Sequence, residues 1–112
     1  MLQPFFIWQD RLLIKIKPEE VKAIMSEANY IKIFHADNRY YMVRSTLTAV
    51  LKQLPQDLFK RIHQSIAVSI NYTDAIAKDH LLMVGIETPL PISRQYYKSF
   101  VNSLNILGKD DG

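Results

Sequence analysis

The segment Arg61–Ser65, RIHQS, sets a guanidinium, an imidazole, an amide and a hydroxyl within five positions. A serine and an imidazole can perform nucleophilic catalysis, which also needs a third group that orients the base. His63 has Ser65, Asp57 and Asp74 nearby in sequence, but this proximity does not supply the geometry of a catalytic triad. The chain has no G-x-S-x-G turn and no glycine-rich phosphate loop, because its three glycines lie at 85, 108 and 112. We therefore do not expect an enzyme.

Histidine can also bind a metal ion, and the chain has three, at positions 35, 63 and 80. None of these pairs has the i, i+3 or i, i+4 spacing that places two ligands on one helical face, and the chain has no cysteine. No fingerprint for a small-molecule cofactor is present either. We therefore expect neither a metal site nor a cofactor.

The same side chains suit the recognition of nucleic acid. Arginine and lysine reach guanine N7 and O6, asparagine and glutamine pair with adenine, and hydroxyls and backbone amides hold phosphates. Such residues occur in three predicted loops or element edges, within NYIK, RIHQS and ISRQYYK. No helix-turn-helix, zinc finger or ribonucleoprotein motif is present, so these patterns favour a protein that reads with its loops.

The charge distribution is uneven, although the net charge is only +3. Acidic residues are absent from 38–56, 58–73 and 88–109. These three acid-free windows hold eight of the 14 basic residues: Arg39, Arg44, Lys52, Lys60, Arg61, Arg94, Lys98 and Lys109. Either the cations lie on solvated faces or they form a surface for a polyanion.

The elements that must position these segments are mostly short strands. Alternating apolar residues predict five strands in the first 43 residues, at FFIW, LLIKIK, VKAIM, YIKIFHA and RYYMV. Apolar spacings of three and four predict a short helix that begins after Ser45 or Thr46 and ends at Pro55. Strands resume at 59–62, 66–70, LLMVG and ETPLPI, and a last helix is predicted with Ser93 as N-cap and an apolar face that reaches Leu104.

Length and composition bound the kind of protein. A chain of 112 residues with 48% hydrophobic and 22% charged residues is typical of one globular domain. We place that domain at 5–107, with flexible ends at 1–4 and 108–112. The absence of cysteine fits a reducing compartment, and no apolar run approaches the roughly 20 residues that span a bilayer. We expect a cytoplasmic protein with no membrane partner.

In three stretches the sequence resembles the LytTR DNA-binding domain of bacterial transcriptional regulators. They are VKAIMSEANYIKI, TLTAVLKQLPQDLFKRIHQSIAV and GIETPLPISRQYYKSFVNSL, in the family's order and at compatible spacings, and the resemblance covers Phe5 to Leu107. It implies a mainly β, elongated fold of about ten short strands in small antiparallel sheets, with one short central helix and a C-terminal helix. It further implies an output domain of a response-regulator type whose loops enter successive major grooves of promoter DNA.

The resemblance also implies roles for individual residues, in segments 27–30, 61–65 and 93–98. The implied base contacts are Asn29, Gln64 and Arg94. The implied contacts to the DNA backbone or groove are Glu27, Tyr30, Arg61, His63, Ser65, Ser93, Tyr97 and Lys98. Family targets are often paired imperfect repeats, which implies a possible dimer on DNA, and a receiver domain is a common partner in full-length members.

Some residues depart from the family pattern or allow a second interpretation. Ala28 stands where relatives often have glycine, and a side chain there resists the positive φ of a tight turn. Gln64 is neutral where relatives often have arginine or asparagine. His63 either contacts DNA or fixes its own loop through backbone hydrogen bonds. Two other functions stay open: a protein-interaction module for an acidic partner, and a single-stranded RNA binder that stacks bases on tyrosines 30, 40 and 41.

Overall fold

The structure, a computed structural model, describes residues 2–110. Within that range the chain forms ten strands and two α-helices: β1 Phe5–Gln9, β2 Leu12–Ile16, β3 Val21–Glu27, β4 Tyr30–His35, β5 Tyr40–Arg44, α1 Leu47–Gln53, β6 Phe59–His63, β7 Ile66–Ser69, β8 Thr73–Ile76, β9 His80–Met83, β10 Ile86–Pro91 and α2 Arg94–Asn102. The predicted mainly β fold with a central and a C-terminal helix is confirmed. Of the ends predicted to be flexible, residues 1, 111 and 112 lie outside the described range.

β1 and β2 form the predicted antiparallel hairpin. Its turn residues, Asp10 and Arg11, have φ values of +49° and +69°, the left-handed conformation that matches the twist of a two-residue hairpin. Ile7 and Ile16 face inward and are buried. The hairpin therefore covers one side of the main sheet with its apolar face.

The main sheet has five antiparallel strands in the order β5-β4-β3-β7-β6. On the central strand β3, Ile24 packs into one hydrophobic core with the hairpin and α1, whereas Ala23 packs into a second core on the opposite face. The second core also contains Leu81 of β9 and Phe100 of α2. Because both faces of β3 are covered, its first four residues are all buried and the strand shows little alternation.

Both helices lie where the apolar spacing predicts them. The Thr46 hydroxyl caps α1 by accepting from the Ala49 backbone N–H at 3.1 Å, and α1 ends before Pro55. Ser93 occupies the N-cap position of α2, but its side chain makes no capping hydrogen bond. The helix ends at Asn102, so Leu104 packs against the second core from beyond it. Neither helix in the described range is long and apolar enough to span a membrane.

β8, β9 and β10 form a separate three-stranded antiparallel sheet that covers the second core. The layers make an elongated molecule of 53 × 32 × 26 Å, as the family resemblance predicts. The β9–β10 turn packs over Lys22, which is only 6% exposed and donates from Nζ to Asn38 Oδ1 at 2.9 Å. Gly85 in that turn has a φ of +78°, and a Cβ there would lie 2.9 Å from Lys22 Nζ.

The β4–β5 turn carries a small ionic cluster at the end of the sheet that lies away from the β3–β4 turn. Asp37 Oδ2 accepts from Arg39 Nε at 2.6 Å, and Asp37 Oδ1 lies 3.0 Å from His35 Nδ1. Desolvation raises the pKa of Asp37, but hydrogen bonds from the Arg39 backbone and guanidinium and from His35 outweigh it. The pKa of Asp37 therefore lies below its ordinary value.

Candidate nucleic-acid interface

Three segments separated in sequence meet at one end of the molecule. The Ser26 backbone N–H donates to the Ser65 carbonyl at 2.9 Å, which ties the β3–β4 turn to the β6–β7 turn. The Ser93 backbone N–H donates to the Ile62 carbonyl at 2.9 Å, which ties the start of α2 to β6. The segments 27–30, 61–65 and 93–98 therefore form one surface, which we call the three-segment face.

The first segment is a two-residue hairpin turn, since Glu27 pairs with Tyr30. Ala28 has a φ of +55°, so the turn keeps the left-handed conformation although alanine replaces the expected glycine. Glu27 Oε2 lies 3.0 Å from Lys32 Nζ, and this hydrogen bond and charge raise the pKa of Lys32. The Asn29 side chain is exposed and has no partner within residues 2–110.

In the second segment, Arg61 is held by the protein itself. Its Nε donates to the His63 carbonyl at 3.2 Å and its Nη2 donates to the Gln64 carbonyl at 2.5 Å. Its Nη1 donates to Thr48 Oγ1 on α1 at 3.0 Å, and the guanidinium lies 5.4 Å from the ring centroid of Tyr96. Arg61 is thus a clamp that fixes the β6–β7 turn to both helices.

His63 and Ser65 also fix this turn. His63 Nδ1 accepts from the Ser65 backbone N–H at 3.1 Å and lies 3.1 Å from Ser65 Oγ. A backbone amide can only donate, so Nδ1 acts as the acceptor and a neutral ring carries its proton on Nε2. This contact corresponds to the interpretation of His63 as a residue that fixes its own loop. The exposed Gln64 side chain, by contrast, has no partner within residues 2–110.

The third segment places two free cations on one side of α2. Arg94 and Lys98 are exposed, lie four residues apart and therefore share a helical face. Neither side chain has a hydrogen bond or ion pair in the described part of the chain. Tyr97 packs against the second core. The Ser93 hydroxyl oxygen is buried and has no partner in residues 2–110.

Three further residues at this face carried no role from the sequence. Arg44 ends β5 opposite Tyr30 and is exposed, and its place in an acid-free window was the one available signal. Thr48 and Tyr96 support Arg61 from α1 and α2. Their contacts with Arg61 join parts of the chain that no local pattern relates, so sequence periodicity could not identify them.

The structure bears on the other chemistries that these residues allow. In the described range the His63 ring hydrogen-bonds only to Ser65, so neither Asp57 nor Asp74 orients it. Histidine, aspartate and glutamate residues in 2–110 form no group of three or more that could hold a metal ion. Tyr30 pairs with Arg44 and Tyr40 pairs with Phe34, at opposite ends of the β4–β5 pair. Tyrosines 30, 40 and 41 therefore do not form one continuous stacking surface.

Comparison with known proteins agrees with this architecture. A curated relative, the sensory transduction protein LytT of Enterococcus faecalis (strain ATCC 700802 / V583), is 26% identical over 102 residues. The match covers 88% of this chain and 41% of that protein, so the chain spans less than half of its relative.

A solved LytTr DNA-binding domain from Bacillus cereus superposes with a TM-score of 0.76 at 19% sequence identity. The superposition covers 92% of this chain and 97% of that domain, which shows that the two share a fold. The family model of the LytTr DNA-binding domain matches residues 11–105. This chain therefore belongs to the LytTr DNA-binding domain family.

Proposed function

We propose that this chain is a sequence-specific double-stranded DNA-binding domain and the output domain of a bacterial transcriptional regulator. One observation carries the specific part: Asn29, Gln64 and Arg94 project from three different segments of one face, and none of their side chains has a partner within residues 2–110. An exposed arginine and two exposed carboxamides are the side chains that recognise guanine and adenine in the major groove. The face is also rich in cations, which favours a polyanionic duplex.

The residues divide into readers and supports. Arg94 pairs with a guanine through two hydrogen bonds, and Asn29 and Gln64 contact adenine or neighbouring groups in the groove. Lys98, one turn further along α2, holds a phosphate, and Glu27, Tyr30, Ser93 and Tyr97 line the backbone or groove. Arg61, His63 and Ser65 shape the second segment, and their remaining polar atoms face the DNA backbone.

The domain comprises residues 5–107 and reads successive major grooves with its three segments. The target is a promoter element built from paired imperfect repeats, and two copies of the domain occupy it as a dimer on DNA. In the full-length regulator a receiver domain controls this output domain.

Selection of duplexes from a random pool tests the proposal. We expect one enriched motif, repeated at a separation near a helical turn. On that motif, Arg94→Ala should cost about 1 to 3 kcal/mol of binding free energy and relax the preference at one base pair. Lys98→Ala should weaken all sequences alike and lower the salt slope by about 1.

The matched controls are Arg39→Ala and Lys17→Ala, which remove the same side chains at the other end of the main sheet. They should leave both the preference and the slope unchanged. A pool with no enriched motif would support a module that docks an acidic protein. Preference for unpaired competitor over duplex would support the RNA-binding alternative. Wild-type affinity for the motif in both Arg94→Ala and Lys98→Ala, at fixed salt, would refute the assigned contacts.

A further inference from the structure

A cleft of about 430 Å³ lies beside the three-segment face, between α1, β6 and α2. Its lining comes from all three acid-free windows, for example Lys52, Lys60 and Ser99. The fold thus brings together stretches that are separately free of carboxylates. No aspartate or glutamate of the described chain lines the cleft.

The groups that the cleft presents are those that bind phosphate. Lys52 on α1, Lys60 on β6 and Arg61 supply three cations, and Thr48 and Ser99 supply hydroxyls. Phosphate oxygens in protein–DNA complexes are held mainly by such cations, hydroxyls and amides. With no acid among its lining residues, the cleft has a consistently positive character.

The apolar part of the lining is already covered by the protein. Phe59 is 5% exposed and Phe100 is 2% exposed, so their rings belong to the cores and offer little surface to a ligand. A pocket for a hydrophobic small molecule would instead be lined mostly by accessible apolar groups. The cleft therefore fits a hydrophilic, extended polyanion better than a hydrophobic compound.

Arg61 connects this cleft to the three-segment face. The same guanidinium donates to Thr48, which lines the cleft, and to the carbonyls of His63 and Gln64 in the second segment. Tyr96 beneath it also lines the cleft. A backbone that follows the duplex away from the second segment would therefore pass directly into the cleft.

We propose that the cleft binds the sugar-phosphate backbone of the duplex flanking the recognised bases, with Lys52 and Lys60 as its phosphate ligands. The proposal rests on the proposed function and extends its footprint to α1 and β6. These contacts carry no sequence information and set the register of the domain on its site.

The test compares two double variants that remove the same charge and keep similar side-chain length. K52Q/K60Q alters the cleft, and K15Q/K17Q alters two exposed lysines near Glu20 and Asp37, away from the face. Each lost phosphate contact lowers the salt slope by about 0.9 and the affinity about 8-fold at 0.1 M salt relative to 1 M. We expect K52Q/K60Q to lose nearly two units of slope without a change in the selected motif, and K15Q/K17Q to lose none. Urea unfolding checks that both variants are folded.

Neutral DNA provides the second arm. Methylphosphonate linkages are introduced one at a time along the flanks of the selected duplex. In the wild type, one or two flank positions should lower the affinity several-fold, and in K52Q/K60Q the same substitutions should have no further effect. Such non-additivity indicates a direct contact. Hydroxyl-radical protection of those sugars should disappear in the same variant.

The outcomes separate the two proposals. If a motif is enriched and Arg94→Ala weakens its binding, but K52Q/K60Q behaves as K15Q/K17Q does, the cleft proposal is wrong and DNA reading stands. If the cleft variant loses saturable binding of phenyl phosphate, followed by NMR shifts of Thr48 and Ser99, and keeps its DNA salt slope, the site binds a small anion and the proposal is also overturned. If no motif is enriched, the proposed function itself fails.

Discussion

Arg61→Lys is the most informative single substitution, because it keeps the positive charge and removes the planar fork. Arg61 reaches two turn carbonyls and the Thr48 hydroxyl with three different nitrogens. A lysine has a single ammonium on a flexible stem and cannot reach three divergent acceptors at once. If Arg61 acts as a clamp, the substitution should loosen the second segment. If it serves only as a cation for phosphate, a lysine should replace it with little loss.

The expected cost follows from the contacts. Each intramolecular hydrogen bond contributes about 0.5 to 1.5 kcal/mol net, and a cation over an aromatic ring at a partly exposed site contributes about 0.5 to 1 kcal/mol. A lysine at 61 can retain one hydrogen bond and loses two, together with part of the contact with Tyr96. The free energy of unfolding should therefore fall by roughly 1 to 3 kcal/mol.

Urea unfolding and DNA binding over a salt series measure the two consequences. We expect a lower unfolding midpoint and a lower affinity for the selected motif, with an unchanged salt slope because the charge is preserved. Arg94→Lys is the control, since Arg94 has no contact to lose in the described structure and its unfolding midpoint should not move. Wild-type stability and wild-type affinity in Arg61→Lys would refute the clamp.

Three further substitutions test the backbone and the ionic cluster. Ala28→Gly should stabilise the protein by about 1 kcal/mol in urea unfolding, because it relieves a φ of +55°, and an unchanged or lower midpoint would contradict this. Gly85→Ala should destabilise it by about 1 to 3 kcal/mol, because the new methyl meets the buried Lys22 Nζ at a φ of +78°; Gly108→Ala, with nothing within 4 Å, should have no effect. The lowered pKa of Asp37 adds stability that is present above its ordinary pKa of 3.8 and is lost as the pH falls through the folded value. The stability difference between wild type and Asp37→Asn should therefore be constant near neutral pH and shrink in acid; a difference that does not shrink would contradict the linkage.

Most of the fold could be predicted because its local patterns agree with its tertiary contacts. Ile14 and Ile16 alternate with lysines on a strand whose one face is covered, and the α1 spacing matches a helix with one buried stripe. β8 has no such pattern, because it is a four-residue edge strand with two exposed residues and was therefore not predicted from its own sequence. The end of α2 was placed too late because Leu104 continues the apolar period after the helix has stopped.

The candidate site could be predicted as a set of segments but not as a division of labour. Sequence patterns show which side chains can donate, and they do not show which donors the protein itself uses. The partners of Arg61 come from Thr48 and Tyr96, which lie 13 residues before it and 35 residues after it. The convergence of the acid-free windows on one cleft likewise depends on the packing of α1 and α2 around β6. Both features exist only in the folded chain.

The division between supports and readers explains how the second segment can vary in specificity without losing its shape. At Gln64 the two parts of one residue have separate tasks, because its carbonyl is held by Arg61 whereas its side chain is exposed and unpaired in the described structure. The clamp acts on the main chain, so any side chain at this position can be presented in the same place. The neutral amide at Gln64 therefore changes what the turn can read while Arg61 and His63 keep the turn itself constant. On this reasoning the arginine and the histidine of RIHQS determine the geometry of recognition, and the residue after them determines part of its content.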